Sequence, residues 1–246
     1  MSTLLQNVMG QNPDFYVTPT SGLLELLFSA RINYTNSLEF KAQDHDKMQS
    51  AWLGFCNGAM NGYFNKLTDK PYIIDKSRGW GIHAEFLNNI LNEPPKILCM
   101  VRNIRCIVSS LEKIHRQTEK TNSSGIIDHG NMQNTSTFKR VNTFLNAQPL
   151  GLALERLNEI FRQGLNDYIC FIRAEDFTTN PKEELVKIYK FLELPYYHHD
   201  FNNIVQLTDE DDEVYGLTHN LHLIKKTIEP LRDDSQMILG LSLIHI

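Results

Sequence analysis

The sequence predicts a single α/β domain built on a parallel sheet with helices on both faces, and three observations predict it. Short runs of β-type residues at 72–75, 97–101 and 168–173 alternate with segments of helical periodicity. The stretch 96–116, KILCMVRNIRCIVSSLEKIHR, passes from an apolar strand to the cation Arg102 and then into a helix. The chain of 246 residues, 41% hydrophobic and 22% charged, suffices for one substantial core.

In chain order, Leu4, Leu5, Val8 and Met9 lead a helix at about 2–11, which a polar turn through Asn12, Pro13 and Asp14 ends. A second helix is expected at 20–31. A longer one is expected at 46–67, with Met48, Trp52, Phe55, Cys56, Met60, Tyr63 and Phe64 as its buried stripe. The strand at 72–75 leads into a helix near 82–92, which Pro94 and Pro95 stop before the strand at 97–101. Ile104, Ile107, Val108, Leu111 and Ile114 then mark one helical face. Residues 117–138 are polar and without period, a long loop. A helix at 151–164 precedes the strand at 168–173. The next helix starts well, with Asn180 as cap, Pro181 at its first position and Glu183 three residues after the cap. From about 196 the pattern fades, and the acidic run Asp209–Glu213 reads as a solvated loop.

Composition excludes some function classes. A net charge of −5 argues against a nucleic-acid surface. No apolar run reaches spanning length and no signal peptide opens the chain, which predicts a cytoplasmic protein. The four cysteines, Cys56, Cys99, Cys106 and Cys170, lack CxxC spacing, so neither a disulfide frame nor a metal site is expected. Cys99 and Cys170 read as small buried hydrophobes within strands.

A cation at the end of a strand, followed by a helix, stands where open α/β sheets bind ligands. Arg102 and Ser110 lie across that junction, able to offer a planar fork and a hydroxyl to one phosphate. The alternative stays open: an arginine paired with an acid, and a serine bonded to its own helix backbone.

Four segments, in order, resemble the sulfotransferases. Ser2-Thr3-Leu4-Leu5 is similar to the end of that family's phosphate-binding loop and the helix after it. Tyr72-Ile73-Ile74-Asp75-Lys76-Ser77-Arg78-Gly79-Trp80 resembles its strand ending in an active-site lysine. Val101-Arg102, with Arg105 and then Ser110, is similar to its 3′-phosphate segment, in the form closest to tyrosyl-protein sulfotransferases. The stretch 168–195 resembles its strand, acidic pair (Glu175, Asp176) and Asn-Pro-opened helix. Ala174 departs from the tyrosine often found before that pair.

The resemblance implies a three-layer fold of the P-loop-containing nucleoside triphosphate hydrolase type, spanning residues 1–240. It implies sulfuryl transfer from 3′-phosphoadenylyl sulfate (PAPS) to a hydroxyl of a carbohydrate, a protein tyrosine or a small alcohol, without a metal. Ser2, Thr3, Arg102 and Ser110 would hold the donor, and Lys76 would stabilise the transferring group. Arg78 and Trp80 could support donor or acceptor. Glu25 is the implied base, its leucine neighbours able to raise its pKa if it lies in the cleft. His219 and His222, three residues apart, are rivals for that role. In the family a strand and a glycine-rich loop precede the Ser-Thr pair. Here they would fall ahead of Met1, so residues 1–246 alone are expected to be poorly stable and inactive. Leu241–Ile246 reads as a non-native tail. Two alternatives remain: a fragmentary nucleotide-binding homologue, or another enzyme of this fold such as a small kinase. A kinase would need GxxxxGK[ST] and a magnesium-holding acid after a strand, and neither occurs.

Overall fold

The first helix, α1 (Ser2–Met9), buries Leu5, Val8 and Met9. The computed structural model describes residues 1–91, 93–118, 132, 135–215 and 222–240. After α1 come β1 (Phe15–Thr20), α2 (Leu23–Asn36), α3 (Leu38–Lys41), α4 (His45–Phe64) and β2 (Tyr72–Lys76). A 3-10 turn at Trp80–His83 leads to α5 (Ala84–Leu91), β3 (Ile97–Val101) and α6 (Ile104–Thr118). Then follow α7 (Thr137–Asn146), α8 (Leu150–Arg162), β4 (Ile169–Arg173), α9 (Ala174–Thr179), α10 (Pro181–Leu192) and α11 (Ser235–Leu239).

The strands form two parallel pairs. Phe15 stands opposite Tyr72 and Thr20 opposite Lys76, and Ile97 to Val101 stand opposite Ile169 to Arg173. Among the described residues β2 and β3 do not hydrogen-bond to each other. They nevertheless share one core. Ile74 of β2 and Leu98 and Met100 of β3 pack on a cluster in which α1 contributes Leu5, Val8 and Met9. That arrangement joins α1 and residues of all four strands in one core.

The expected strands at 72–75, 97–101 and 168–173 are present within a residue at their ends. The helix expected at 20–31 begins instead at Leu23, because a further strand, β1, runs up to Thr20. Its sequence, FYVTPT, carries Pro19, which reads as turn punctuation. Proline cannot donate to the ladder, and the β1–β2 register shifts between Val17 and Thr20, around it. On α4, Cys56 and Phe64 are buried, but Phe55 is 55% exposed, stacked on the ring of Trp52. Cys99 and Cys170 are half-buried, and burial raises both thiols. Of the expected loop at 117–138, residues 119–131 and 133–134 lie outside the described residues, as does the tail 241–246. Helices α6 and α7 flank that segment.

One acid-sensitive contact sits beside the core. His199 Nε2 and the hydroxyl of buried Tyr189 lie 3.1 Å apart, with the rings of Tyr196, Tyr197 and Phe201 around the imidazole. Burial pushes the imidazole down to about 4 from its ordinary 6.5. A folded-state pKa below the unfolded one gives stability that is present above pH 6.5 and lost as the pH falls toward 4. The urea midpoint is therefore expected to drop across that window more steeply in the wild type than in His199→Gln. Parallel profiles would assign the acid sensitivity to other groups.

Candidate functional site

Three structural ends meet at one place. The N-terminus of α1 carries no side-chain cap, so its first-turn amides are not taken by a neighbouring hydroxyl or carboxylate. Lys76 ends β2, and its Nζ lies 3.4 Å from Thr3 Oγ1 on that first turn. Arg102 follows the last residue of β3. Burial first, then Arg102 and Lys76, lower the pKa of the Met1 ammonium, so both cations act on the same helix end. Two parallel strand pairs thus deliver one cation each to one helix N-terminus, an arrangement suited to anions.

Arg102 also has an unmet donor. Its Nε is buried without a hydrogen-bond partner, and the guanidinium makes no ion pair among the described residues. Glu175 does not neutralise it. One Glu175 oxygen accepts from the Asn103 amide at 3.0 Å, and the other is buried and unpartnered. An unpaired buried donor is costly to maintain, and an anion at this position would satisfy it.

Ser110 lies on α6 with its hydroxyl donating to the Cys106 carbonyl at 2.9 Å. That is the backbone-bonded arrangement weighed from the sequence, so contact with a phosphate would require the hydroxyl to rotate away. Ser2 is exposed and Thr3 buried. Trp80 is buried and donates its Nε1–H to Asp75 at 2.7 Å, which makes it a support for the strand end, while Arg78 is exposed. Glu25 is exposed on the first turn of α2 and forms no hydrogen bond or ion pair among the described residues. Leu23, Leu24 and Leu27 turn into the core away from it.

The acidic run corrects the sequence expectation most. Asp209, Asp211 and Glu213 are exposed, but Glu210 and Asp212 turn inward, with side chains 4% and 7% exposed. Glu210 Oε2 is 2.8 Å from Lys76 Nζ. The same carboxylate takes hydrogen bonds from Thr20 and, at 3.4 Å, from Tyr215. Burial alone would raise the Glu210 carboxyl, but Lys76, Thr20 and His222 outweigh it and hold the pKa below its ordinary value. Beyond Glu210 stands His222. Its Nε2 is 3.8 Å from Glu210 Oε1 and its Nδ1 is 2.5 Å from Asp212 Oδ1. His219 lies outside the described residues, and His222 sits in a turn.

The run reaches the site because Asn7, fully buried on α1, holds it there. Asn7 Nδ2 donates to Thr3 O at 2.8 Å and to Thr208 Oγ1 at 3.0 Å, and its Oδ1 accepts from the Leu207 and Thr208 amides. Gln206 ties the same segment to the one carrying His222, through the His222 carbonyl and the Ile224 amide. Nothing in an all-acid run distinguishes the buried from the exposed members. The signal within reach was Lys76 itself, since a half-buried lysine requires an acid and the run lies downstream.

Among the described residues, no group of three or more His, Cys, Asp or Glu is placed to hold a metal ion. No helix among them is long and apolar enough to cross a membrane. Residues 21–213 match the family model described as the sulfotransferase domain. No curated protein matches the chain.

Proposed function

The chain belongs to the sulfotransferase family, and from that premise we propose that it moves a sulfuryl group from PAPS to a hydroxyl acceptor by in-line displacement. The observation that carries this reading is the meeting of Lys76 and Arg102, from separate strand pairs, at the N-terminus of α1. Such a donor has anionic groups at both ends of an adenosine, and one cation for each is the minimum that binds it. Arg102 takes the 3′-phosphate, with Ser110 as second donor after its hydroxyl rotates. Thr3, Ser2 and the first-turn amides of α1 take the 5′-phosphate. Lys76 neutralises the charge that grows on the bridging oxygen as the sulfur–oxygen bond breaks.

The proposal extends to the fold and its setting. A three-layer sheet would have a further parallel strand between β2 and β3, as the open edges of those strands, converging on α1, support. The acceptor is a carbohydrate, a tyrosine or a small alcohol, and the place of action the cytoplasm.

Calorimetric titration with adenosine 3′,5′-bisphosphate, with adenosine 5′-phosphate and with ATP tests the reading. The bisphosphate is expected to bind tightest. Hydrogen bonds to charged groups contribute roughly 1.5–3 kcal/mol, so Arg102→Ala should weaken the bisphosphate by about 10- to 100-fold. The 5′-phosphate should lose much less. Equal losses would make Arg102 a structural residue, and preference for ATP would point to a kinase.

A further inference from the structure

The pairing of Lys76 with Glu210 implies more than a neutralised lysine. We propose that Glu210 is the proton acceptor of the reaction and that it becomes one when the donor takes Lys76 from it. The inference rests on the sulfotransferase reading and adds a residue from the C-terminal segment to it.

The argument starts from competition for one ammonium. Glu210 Oε2 sits 2.8 Å from Lys76 Nζ, with both side chains largely buried. A sulfuryl group presents anionic oxygens of the same kind to the same nitrogen. Whichever anion holds Lys76, the other loses most of its compensation in a place of low dielectric. Without donor, Glu210 holds the lysine and is a weak base. With donor, the lysine turns to the sulfuryl and bridging oxygens, and the stranded carboxylate gains proton affinity. That gain coincides with the moment at which an acceptor hydroxyl must lose its proton.

The surroundings fit a base better than a simple counter-ion. Thr20, at the end of β1, and Tyr215 hydrogen-bond to the carboxylate and fix its plane. His222 is a positioning residue. Asp212 holds its Nδ1 at 2.5 Å and its backbone amide at 3.2 Å, which leaves Nε2 facing Glu210 Oε1 at 3.8 Å. A carboxylate–imidazole–carboxylate row therefore ends on Lys76, while Glu25 stands exposed.

The step balances as follows. The Glu210 carboxylate takes the acceptor O–H proton, and the acceptor oxygen's electron pair forms the new bond to sulfur. The bond from sulfur to the bridging oxygen breaks, and its electron pair leaves on the 5′-phosphate of adenosine 3′,5′-bisphosphate. Glu210 then returns its proton to water.

Glu210→Gln separates a base from a structural ion pair because the two predict opposite signs. Removal of the internal competitor should tighten adenosine 3′,5′-bisphosphate about three- to tenfold, since the free-lysine state no longer has to be populated against the pair. Loss of the base should lower kcat with PAPS about 10²- to 10⁴-fold. Glu210→Asp keeps the charge, for the case in which the amide does not fold, and should move both readings the same way by smaller factors. A kcat within about fivefold of wild type, or weaker bisphosphate binding, overturns the assignment. A full-length wild-type protein that neither binds the bisphosphate nor consumes PAPS would instead refute the sulfotransferase reading.

Discussion

Lys76→Ala is expected to lower kcat about 100- to 1000-fold, the usual cost of removing one donor aimed at charge that develops in the transition state. The donor KM should change far less. In the proposed donor complex, before reaction, the sulfuryl oxygens share their charge among Lys76, solvent and the amides of α1. As the bond to the bridging oxygen breaks, negative charge concentrates next to Lys76. An interaction that strengthens along the reaction coordinate appears in kcat, whereas one of constant strength appears in KM. The variant also leaves Glu210, 4% exposed, without its lysine. A lost fold could therefore mimic lost chemistry. The double variant Lys76→Ala/Glu210→Gln removes that orphan charge and should recover thermal stability but not turnover. A change confined to KM would place Lys76 in ground-state binding.

The largest stability effect is expected between α6 and α7. Glu112 is fully buried, and Arg140 reaches it through Nε at 2.8 Å and a terminal nitrogen at 2.6 Å, while Arg116 adds a third bond at 2.8 Å. Burial alone would raise the Glu112 carboxyl, but hydrogen bonds from Arg140 and Arg116 outweigh it, so the group stays below its ordinary 4.5. Breaking such a pair by removing one partner costs about 3–5 kcal/mol. Arg140→Met should fall near the low end of that range, because Arg116 remains. Urea unfolding measures it. The double variant Glu112→Gln/Arg140→Met should be clearly more stable than Arg140→Met alone, because no buried charge is left behind. The sign in pH follows from the lowered pKa: the contribution is complete above the ordinary glutamate range and disappears as the medium becomes more acidic. If the single variant loses less than about 1 kcal/mol, the cluster behaves as a surface pair.

How much of this was legible in the sequence depends on how local each signal is. The strand at Ile97–Val101 is an unbroken apolar run closed by Arg102, and both its span and the cation at its end could be read directly. Lys76 was equally legible, at the end of a short β-type run. Strand β1 was not, because Pro19 imitates a turn and only the facing residues of β2 reveal the register that tolerates it. The roles of Glu210 and Asp212 were illegible for a different reason. Five consecutive acids carry no internal contrast, and their alternation between core and solvent arises from contacts with Lys76 and His222. Glu25 shows the converse. Its leucine-rich neighbourhood is apolar in sequence, yet a helix separates adjacent residues by about 100°, and Leu23, Leu24 and Leu27 take the core face while Glu25 and Leu26 stay outside.

Asn7 gives the site a mechanical property. One amide group is bonded at once to the carbonyl of Thr3, on the helix that would receive the donor, and to the backbone of Leu207 and Thr208. Both of its donors and its acceptor oxygen are engaged, so the joint resists sliding in either direction. Glu210 lies two residues beyond Thr208, within about 7 Å of it at full extension, and Thr20 and Tyr215 hold its carboxylate from the other side. Such a linkage works as a rivet does: in the proposed reaction the lysine turns, while the carboxylate keeps its place relative to α1.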